Sequence, residues 1–198
     1  MARPRSHDKR NAILAAASQA LAEDGLSATT ARIARLAGVA EGTVFTYFEN
    51  KDVLLNALYL ELKAGLRLAM MADFPRNATA EAAIRHAWNG YVDWGIGSPA
   101  AREALRQLSV SGRIDAEHRA AGSEGFDEVG TLLRERTASS GLPAEQAQAF
   151  YGALFVSMAE TAMEFIKQSP DQADAYRTAG FNALWAALGG ADRFFYTF

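Results

Sequence analysis

Helix-forming residues dominate this sequence along its whole length. Of its 198 residues, 41 are alanine, and leucine, glutamate, glutamine and arginine are also frequent. All of these residues have high helix propensity. No stretch of about four to eight residues alternates apolar and polar side chains with the β-branched enrichment of a strand. The sequence therefore predicts an all-α protein.

Glycine, proline and N-capping residues divide the helical pattern into nine predicted helices. Five of them cover about residues 8–23, 41–47, 79–96, 113–139 and 143–168, and four others begin at the Thr29–Thr30 pair, Asn50, Ser98 and Ser169. The last two along the chain are predicted helices 8 and 9. Helical spacing predicts buried stripes at Ile13, Ala17 and Leu21 in the first helix and at Val53, Leu54, Ala57, Leu58 and Leu62 in the fourth.

Several classes of protein are excluded by features that the sequence lacks. Without cysteine there is no disulfide framework, thiolate metal site or cysteine nucleophile, and we expect no metal or other cofactor. No apolar run approaches the roughly 18 residues of a membrane span. The basic N-terminus is not followed by the uninterrupted apolar core of a signal peptide. These absences predict a cytoplasmic protein with no membrane partner.

The formal net charge is −3, but the charge is unevenly distributed. Residues 1–51 hold seven basic and five acidic side chains, whereas residues 52–198 hold 13 basic and 18 acidic ones. A basic end on an acidic chain is typical of a protein that binds nucleic acid through one domain. A solvated, frayed terminus gives the same asymmetry, so charge leaves both readings open.

Residues 30–49 have the spacing of a helix-turn-helix. Ala34 is a small residue where two helices would cross closely, and Gly38, four residues later, suits a turn with positive φ. Residues expected to face the shared core are Ile33, Ala37, Val39, Val44 and Phe48. The second helix, residues 41–47, is then the recognition helix, and its outward residues are Glu41, Gly42, Phe45 and Thr46. A helical hairpin without a DNA role has the same spacing.

The stretch TTARIARLAGVAEGTVFTYFENK, residues 29–51, closely resembles the N-terminal domain of the TetR family of one-component transcriptional regulators. The resemblance extends over about residues 8–60, and beyond it only the length and the all-α character match. It implies a helix-turn-helix DNA-binding domain over residues 1–52 and a larger helical domain for ligand binding and dimerisation over residues 53–198. The implied function is a ligand-responsive, DNA-binding transcriptional regulator, and repression is expected from the family alone.

The resemblance also implies DNA-binding roles for individual residues. The residues implied to contact DNA phosphates are Thr30, Thr43, Tyr47 and Lys51. Arg32 is placed to reach a phosphate or a base. The residues implied to contact base edges are Glu41, Gly42, Phe45 and Thr46.

Three positions depart from residues that the family often has. Ala40 lacks the side-chain oxygen of an N-cap, which costs about 1 kcal/mol of stability. Phe45 cannot donate to a phosphate, and Glu41 lowers the attraction for phosphate. These departures leave the recognised DNA sequence open. Arg3 and Arg5, which precede the first helix, are either a minor-groove arm or make no DNA contact.

A single recognition helix reads a short half-site, so we expect a homodimer on a palindromic double-stranded operator. The resemblance places the dimer interface on predicted helices 8 and 9. Small and apolar residues form stripes there, at Ala149, Gly152, Val156, Ala159 and Met163 and at Tyr176, Gly180, Ala183 and Ala187. An ordinary intramolecular core is the alternative explanation of both stripes.

Aromatic and flexible side chains in the C-terminal region are candidates for an effector pocket. The predicted ligand-binding residues are Trp88, Tyr91, Phe126, Tyr151, Phe155 and Met158. Such walls suit a small apolar or aromatic effector, which would release DNA by binding a conformer with the wrong separation of recognition helices. Each of these residues also fits a plain hydrophobic core.

Two other classes of function compete with DNA binding. An α-helical enzyme with a di-metal site needs two carboxylate–histidine pairs, and only Asp115 and His118 have that spacing. Motifs such as HExxH, a phosphate loop or GxSxG are absent, so we expect no enzyme. A protein-interaction module with a vestigial helix-turn-helix has no need of phosphate donors, which here are Thr30, Thr43, Tyr47 and Lys51.

Overall fold

The computed structural model describes residues 7–189, which contain ten α-helices and no β-strand. The helices are α1 (His7–Asp24), α2 (Thr30–Leu36), α3 (Glu41–Tyr47), α4 (Lys51–Met71), α5 (Ala80–Gly97), α6 (Pro99–Val110), α7 (Ala116–Ser123), α8 (Asp127–Arg136), α9 (Ala144–Gln168) and α10 (Ala173–Ala187). The predicted all-α fold is confirmed. Arg3, Arg5 and residues 190–198, which include four aromatic side chains, lie outside the described residues.

The predicted helix over residues 113–139 is wrong, because the chain forms two helices there, α7 and α8. The break falls at Gly125, whose φ of +79° lies in the left-handed region that glycine adopts without strain. Asp115 caps α7 by accepting a hydrogen bond from the backbone N–H of His118. Predicted helices 8 and 9 correspond to α9 and α10.

Capping by side chains was predicted at several helix starts, and only some of them make the expected bond. Thr29 accepts from the backbone N–H of Arg32 at 3.2 Å, and Asn50 accepts from that of Val53 at 3.0 Å. Ser98 and Ser169 make no capping hydrogen bond through their side chains. After Ser169 the chain forms a short 3₁₀ turn, Pro170–Gln172, so α10 begins later than predicted.

The chain divides into two compact units. Among the described residues, the first comprises residues 7–65 and 98–124, and the second comprises residues 66–97 and 125–189. The two units are defined by which residues pack together. The predicted boundary between residues 52 and 53 instead divides the DNA-binding domain from the domain for ligand binding and dimerisation. The functional boundary therefore stays a prediction.

The core of the first unit is formed by the faces that helical spacing predicted in α1 and α4, except that Val53 is exposed and Ala57 is only half-buried. Ile13, Ala17 and Leu21 are fully buried, and so are Leu54 and Leu58. Val53, by contrast, is 42% exposed and the prediction that it is buried is wrong. It immediately precedes the buried Leu54–Leu55 pair and so falls outside the buried stripe of α4.

Aromatic side chains from three helices form the core of the second unit. Trp88 of α5 packs edge-on against Phe155 of α9 and Phe181 of α10, with ring centroids 5.7 and 6.2 Å apart. The indole N–H of Trp88 donates to the backbone carbonyl of Arg177 at 3.2 Å. Gly180 allows this approach, because a Cβ there would lie 2.8 Å from the indole ring.

Candidate nucleic-acid interface

The turn between α2 and α3 is closed by backbone hydrogen bonds around Gly38. The N–H of Gly38 donates to the carbonyl of Arg35 at 3.2 Å, and that of Val39 donates to the carbonyl of Ala34 at 3.0 Å. This pair of bonds is a Schellman motif, which requires a left-handed residue at the position of Gly38. Gly38 has a φ of +66°, so the predicted turn glycine is confirmed.

The inner face of α3 is anchored in the core of the first unit. Val44 and Phe48 are 1% and 2% exposed, and the Arg10 guanidinium lies 5.6 Å from the centroid of the Phe48 ring. Ile33 of α2 is also buried, as predicted, and so is Ala34 at the predicted helix crossing. Ala37 and Val39, which were predicted to face the same core, are only half-buried. Packing on one side therefore fixes which side of α3 faces outward.

The outer face of α3 is open to solvent within the described part of the chain. Glu41, Gly42, Phe45 and Thr46 are all exposed, as the spacing predicted. Phe45 is an aromatic ring with 45% of its surface accessible. Ala40 provides no side-chain cap for α3, which matches the expectation from the sequence. Thr43 and Tyr47 are half-buried at the margins of this face.

Two of the predicted DNA-binding residues bind each other. The hydroxyl of Thr30 donates to Oε1 of Glu41 at 2.6 Å, which links the start of α2 to the start of α3. A phosphate contacting Thr30 must therefore share this position with a carboxylate or displace it. Sequence spacing gave no signal for this contact, because the residues are eleven positions apart.

Arg32 is held by acidic residues at the end of α1. Its guanidinium forms ion pairs with Glu23 and Asp24. The hydrogen bond from Gln19, and then the charge of Arg32, hold the pKa of the Glu23 carboxyl below its ordinary value. The predicted contact of Arg32 with DNA would require these pairs to be broken or shared.

Lys51 lies at the first position of α4 and binds the backbone of the segment after α1. Its Nζ donates to the carbonyl oxygen of Leu26 at 2.7 Å. An ammonium group has three N–H donors, so this bond leaves capacity for a phosphate oxygen. Lys51 therefore combines a structural contact with the position predicted for a phosphate contact.

The predicted effector residues do not all come together. Trp88, Tyr91 and Phe155 form one buried aromatic cluster, in which the Tyr91 and Phe155 centroids are 5.8 Å apart and the Tyr91 hydroxyl donates to Glu160 at 3.1 Å. Tyr151 packs against Phe150 instead, and Phe126 precedes the first residue of α8. Met158 lines a separate groove between α9 and α10, of about 290 Å³.

The two predicted dimerisation stripes contain both core and surface residues. Ala159 and Met163 are buried, and Gly180 packs against the ring of Trp88 within the same chain. Val156, Ala183 and Ala187 are exposed. Phe165 of α9, which was not part of either stripe, is 47% exposed and packs on Tyr176 with ring centroids 5.4 Å apart.

α9 is long and apolar enough to cross a membrane by length and composition alone. An apolar helix of a soluble protein passes the same test, so this property is weak support for a membrane span. Only 28% of its most apolar window is buried within the chain. No group of three or more metal-binding side chains occurs among residues 7–189.

Comparison with known proteins identifies relatives of the helix-turn-helix and of the whole fold. The family model of bacterial regulatory proteins of the tetR family matches residues 13–58. The fatty acid metabolism regulator protein of Bacillus subtilis is 37% identical over 70 residues, which are 35% of this chain and 36% of that protein. The match thus spans about a third of the length of the curated relatives.

Solved structures match over nearly the whole chain. A putative tetR family transcription regulator from Shewanella sp. PV-4 has a TM-score of 0.76 and 26% identity, covering 92% of this chain and 98% of that one. The TetR-like regulator LfrR from Mycobacterium smegmatis, in complex with proflavine, has a TM-score of 0.68 and 23% identity, covering 94% and 98%. The second likeness shows the fold alone.

Proposed function

Because the chain belongs to the TetR family of transcription regulators, we propose that it is a repressor that binds a palindromic operator as a homodimer and is released by a small apolar or aromatic ligand. The observation that supports DNA binding most directly is the outer face of α3. Four neighbouring residues of a helix that is anchored on its other side are exposed. A recognition helix needs this combination of rigid support and free surface.

We propose that α3 reads base edges and that the residues around it bind phosphates. Glu41, Gly42, Phe45 and Thr46 are the proposed base contacts, and Thr30, Arg32, Thr43, Tyr47 and Lys51 are the proposed backbone contacts. The exposed Phe45 ring suits a thymine methyl group, and the Glu41 carboxylate suits the amino group of cytosine. Arg32 would have to break or share its ion pairs with Glu23 and Asp24 to contact DNA.

The proposed dimer forms through α9 and α10. Exposed apolar residues on these helices, which include Val156, Phe165 and Ala183, support this choice. A groove of about 290 Å³ between the two helices would accept side chains of a second copy. Large apolar patches on a soluble chain typically mark such interfaces.

The proposed effector binds in the second compact unit, at the aromatic residues predicted from the sequence. Trp88, Tyr91 and Phe155 are packed together, so a ligand at this site would have to separate their rings. The proflavine in the LfrR complex is an aromatic ligand of a protein with this fold, which supports a ligand of that class. Release would follow if the ligand favours a conformer that binds the operator poorly.

The test is a binding assay with the DNA upstream of the gene for this protein, over a series of salt concentrations. Several phosphate contacts predict a steep linear fall of log affinity with log salt. Affinity that does not depend on salt, or no affinity for any palindrome, would contradict the proposal. The second outcome would favour the interaction module with a vestigial helix-turn-helix.

Lys51→Ala tests the proposed phosphate contacts in the same assay. Loss of one phosphate contact should weaken binding to all DNA sequences alike and reduce the salt slope by about 1. The substitution also removes the bond to Leu26, so circular dichroism must show that the fold is kept. An unchanged slope in a folded variant would remove Lys51 from the interface.

A further inference from the structure

The hydrogen bond between Thr30 and Glu41 joins the first residue of α2 to the first residue of α3, within the first compact unit. The distance of 2.6 Å between the Thr30 hydroxyl and Oε1 of Glu41 is typical of a hydroxyl that donates to an ionised carboxylate. Among residues 7–189, no other hydrogen bond or ion pair involves this carboxylate. Glu41 is exposed, so its second oxygen, Oε2, can accept from a group outside the protein.

Thr30 presents its hydroxyl from a fixed position. Ile33 and Ala34, which are 0% and 2% exposed, anchor α2 in the core. The side chain of Thr29 caps the start of the helix by accepting from the backbone N–H of Arg32. Threonine is β-branched, and a single restricted torsion, χ1, places its hydroxyl. The hydroxyl therefore holds one oxygen of a carboxylate that belongs to the neighbouring helix.

The bond restricts a side chain that packing leaves free to rotate. Glutamate has three side-chain torsions, and ordering them when a ligand binds costs free energy. Glu41 is exposed, so contacts with the core do not order these torsions. The bond to Thr30 orders the carboxylate before DNA binds, and such preorganisation raises affinity for the matching partner.

An ionised carboxylate accepts hydrogen bonds and donates none, which limits the bases that Glu41 can read. The donors in the major groove are the N4 amino group of cytosine and the N6 amino group of adenine. Adenine places the acceptor N7 beside its amino group, and a carboxylate repels this atom, whereas cytosine presents only its donor. A carboxylate held at the start of α3 therefore favours cytosine.

We propose that Thr30 is a positioning residue that holds Glu41 for the recognition of one cytosine in each half-site of the operator. This role rests on the proposed function, because it requires α3 to lie in the major groove. A hydroxyl has one proton to donate, so the Thr30 hydroxyl does not donate to a phosphate while it binds Glu41. The phosphate contact proposed above for Thr30 then belongs to its backbone N–H group.

Thr30→Val, which keeps the branched shape but removes the donor, tests this role. Fluorescence anisotropy measures its affinity for operators in which each base pair of both half-sites is replaced in turn. The parent should prefer cytosine to the other bases about tenfold at one position of the half-site. In Thr30→Val this preference should fall to about twofold, because one hydrogen bond is lost. Preferences at the other positions should not change, and Thr30→Ser, which retains a hydroxyl, should restore the preference for cytosine.

Thr43→Val is the matched comparison, because it removes a threonine hydroxyl whose proposed partner is a phosphate. It should weaken binding to all operator variants alike and leave every base preference unchanged. Circular dichroism must show that both valine variants keep the fold. If Thr30→Val also weakens binding to all variants alike, its hydroxyl contacts the DNA backbone and the positioning role is overturned.

A double-mutant cycle shows whether Thr30 acts through Glu41. Glu41→Ala should abolish the preference for cytosine, and adding Thr30→Val should then lower operator affinity no further. An equal loss of affinity from Thr30→Val with and without Glu41 would overturn the proposal.

The same measurements separate this role from the proposed function. Specific operator binding by the parent, with a preference for cytosine that Thr30→Val leaves intact, overturns the positioning role alone. So does a preference for adenine at the position that responds to Glu41→Ala. A parent protein that binds no palindrome overturns both the proposed function and the role of Thr30.

Discussion

Gly42 lies on the exposed face of α3, and nothing in the fold requires a glycine there. A Cβ at this position would meet no atom within 4 Å. Gly42→Ala should therefore raise the free energy of unfolding by about 0.5–1 kcal/mol, because alanine loses less backbone entropy in a helix. If the backbone at Gly42 approaches a base edge, the same substitution should lower operator affinity at least about fivefold.

Urea denaturation and operator binding measure the two effects of Gly42→Ala separately. Gly97→Ala, at the last residue of α5, is the control, since a Cβ there also meets nothing within 4 Å. It should leave operator affinity unchanged. A Gly42→Ala variant that is more stable and binds the operator like the parent would show that DNA does not need this glycine.

Glu41 is the exposed residue of α3 whose charge opposes DNA binding. Glu41→Gln keeps an oxygen that accepts from Thr30 but removes a negative charge from the proposed interface. Affinity for non-specific DNA should rise about fivefold at low salt, and the preference among operator variants should change. Fluorescence anisotropy with specific and random duplexes measures both effects.

The control for Glu41 is Glu117→Gln, which makes the same change of charge at an exposed residue of α7. If the two variants gain affinity equally, net charge accounts for the effect and Glu41 has no place in the interface. A larger gain for Glu41→Gln would locate the charge close to a phosphate.

At the scale of elements, the sequence was most informative where one local rule determined the structure. The Schellman turn needed only Gly38, and the caps at Thr29 and Asn50 needed only their own side chains. The division into α7 and α8 was missed because the helical pattern was read as one helix over residues 113–139, through Gly125. In the structure, the left-handed backbone at Gly125 separates α7 from α8. The Asp115 side chain caps the start of α7.

The start of α7 depends on a carboxylate and therefore on pH. Oδ1 of Asp115 accepts from the backbone N–H and from Nδ1 of His118, both at 2.8 Å, and the backbone bond is the main cause that lowers the pKa of Asp115. A carboxyl group with a lowered pKa in the folded state stabilises it above the unfolded pKa of about 4, and this contribution is lost as pH falls through the folded pKa.

Asp115→Ala should consequently lower the urea midpoint at pH 7, and the difference from the parent should shrink as the pH falls below about 4. Asp115→Asn is the matched control, because asparagine also caps helices but does not titrate in this range. It should keep most of the stability at pH 7. A difference between Asp115→Ala and the parent that does not change with pH would exclude the carboxylate as its cause.

At the scale of the whole molecule, the pattern of apolar residues in one chain does not distinguish residues that pack within that chain from residues that pack on a second copy of it. Trp88 and Phe155 were predicted as ligand-binding residues and lie in a compact aromatic core. Gly180 was predicted in a dimer stripe and packs on Trp88. Helical spacing identifies an apolar face but not its partner, which depends on the tertiary arrangement of all the helices.

A substitution at an exposed residue of the predicted stripe on α9 tests the proposed dimer. Val156 is 42% exposed, so a charge there would be solvated in a monomer but buried in an interface through α9 and α10. Val156→Glu should shift the chain from dimer to monomer in light scattering and weaken binding to a palindrome. Affinity for a single half-site should stay unchanged, because α3 lies in the first compact unit. Val110→Glu, at an 80% exposed residue of α6, is the control and should leave the dimer intact. A Val156→Glu chain that remains dimeric would exclude this position from the interface, and a monomeric chain that keeps full palindrome affinity would show that operator binding does not require the dimer.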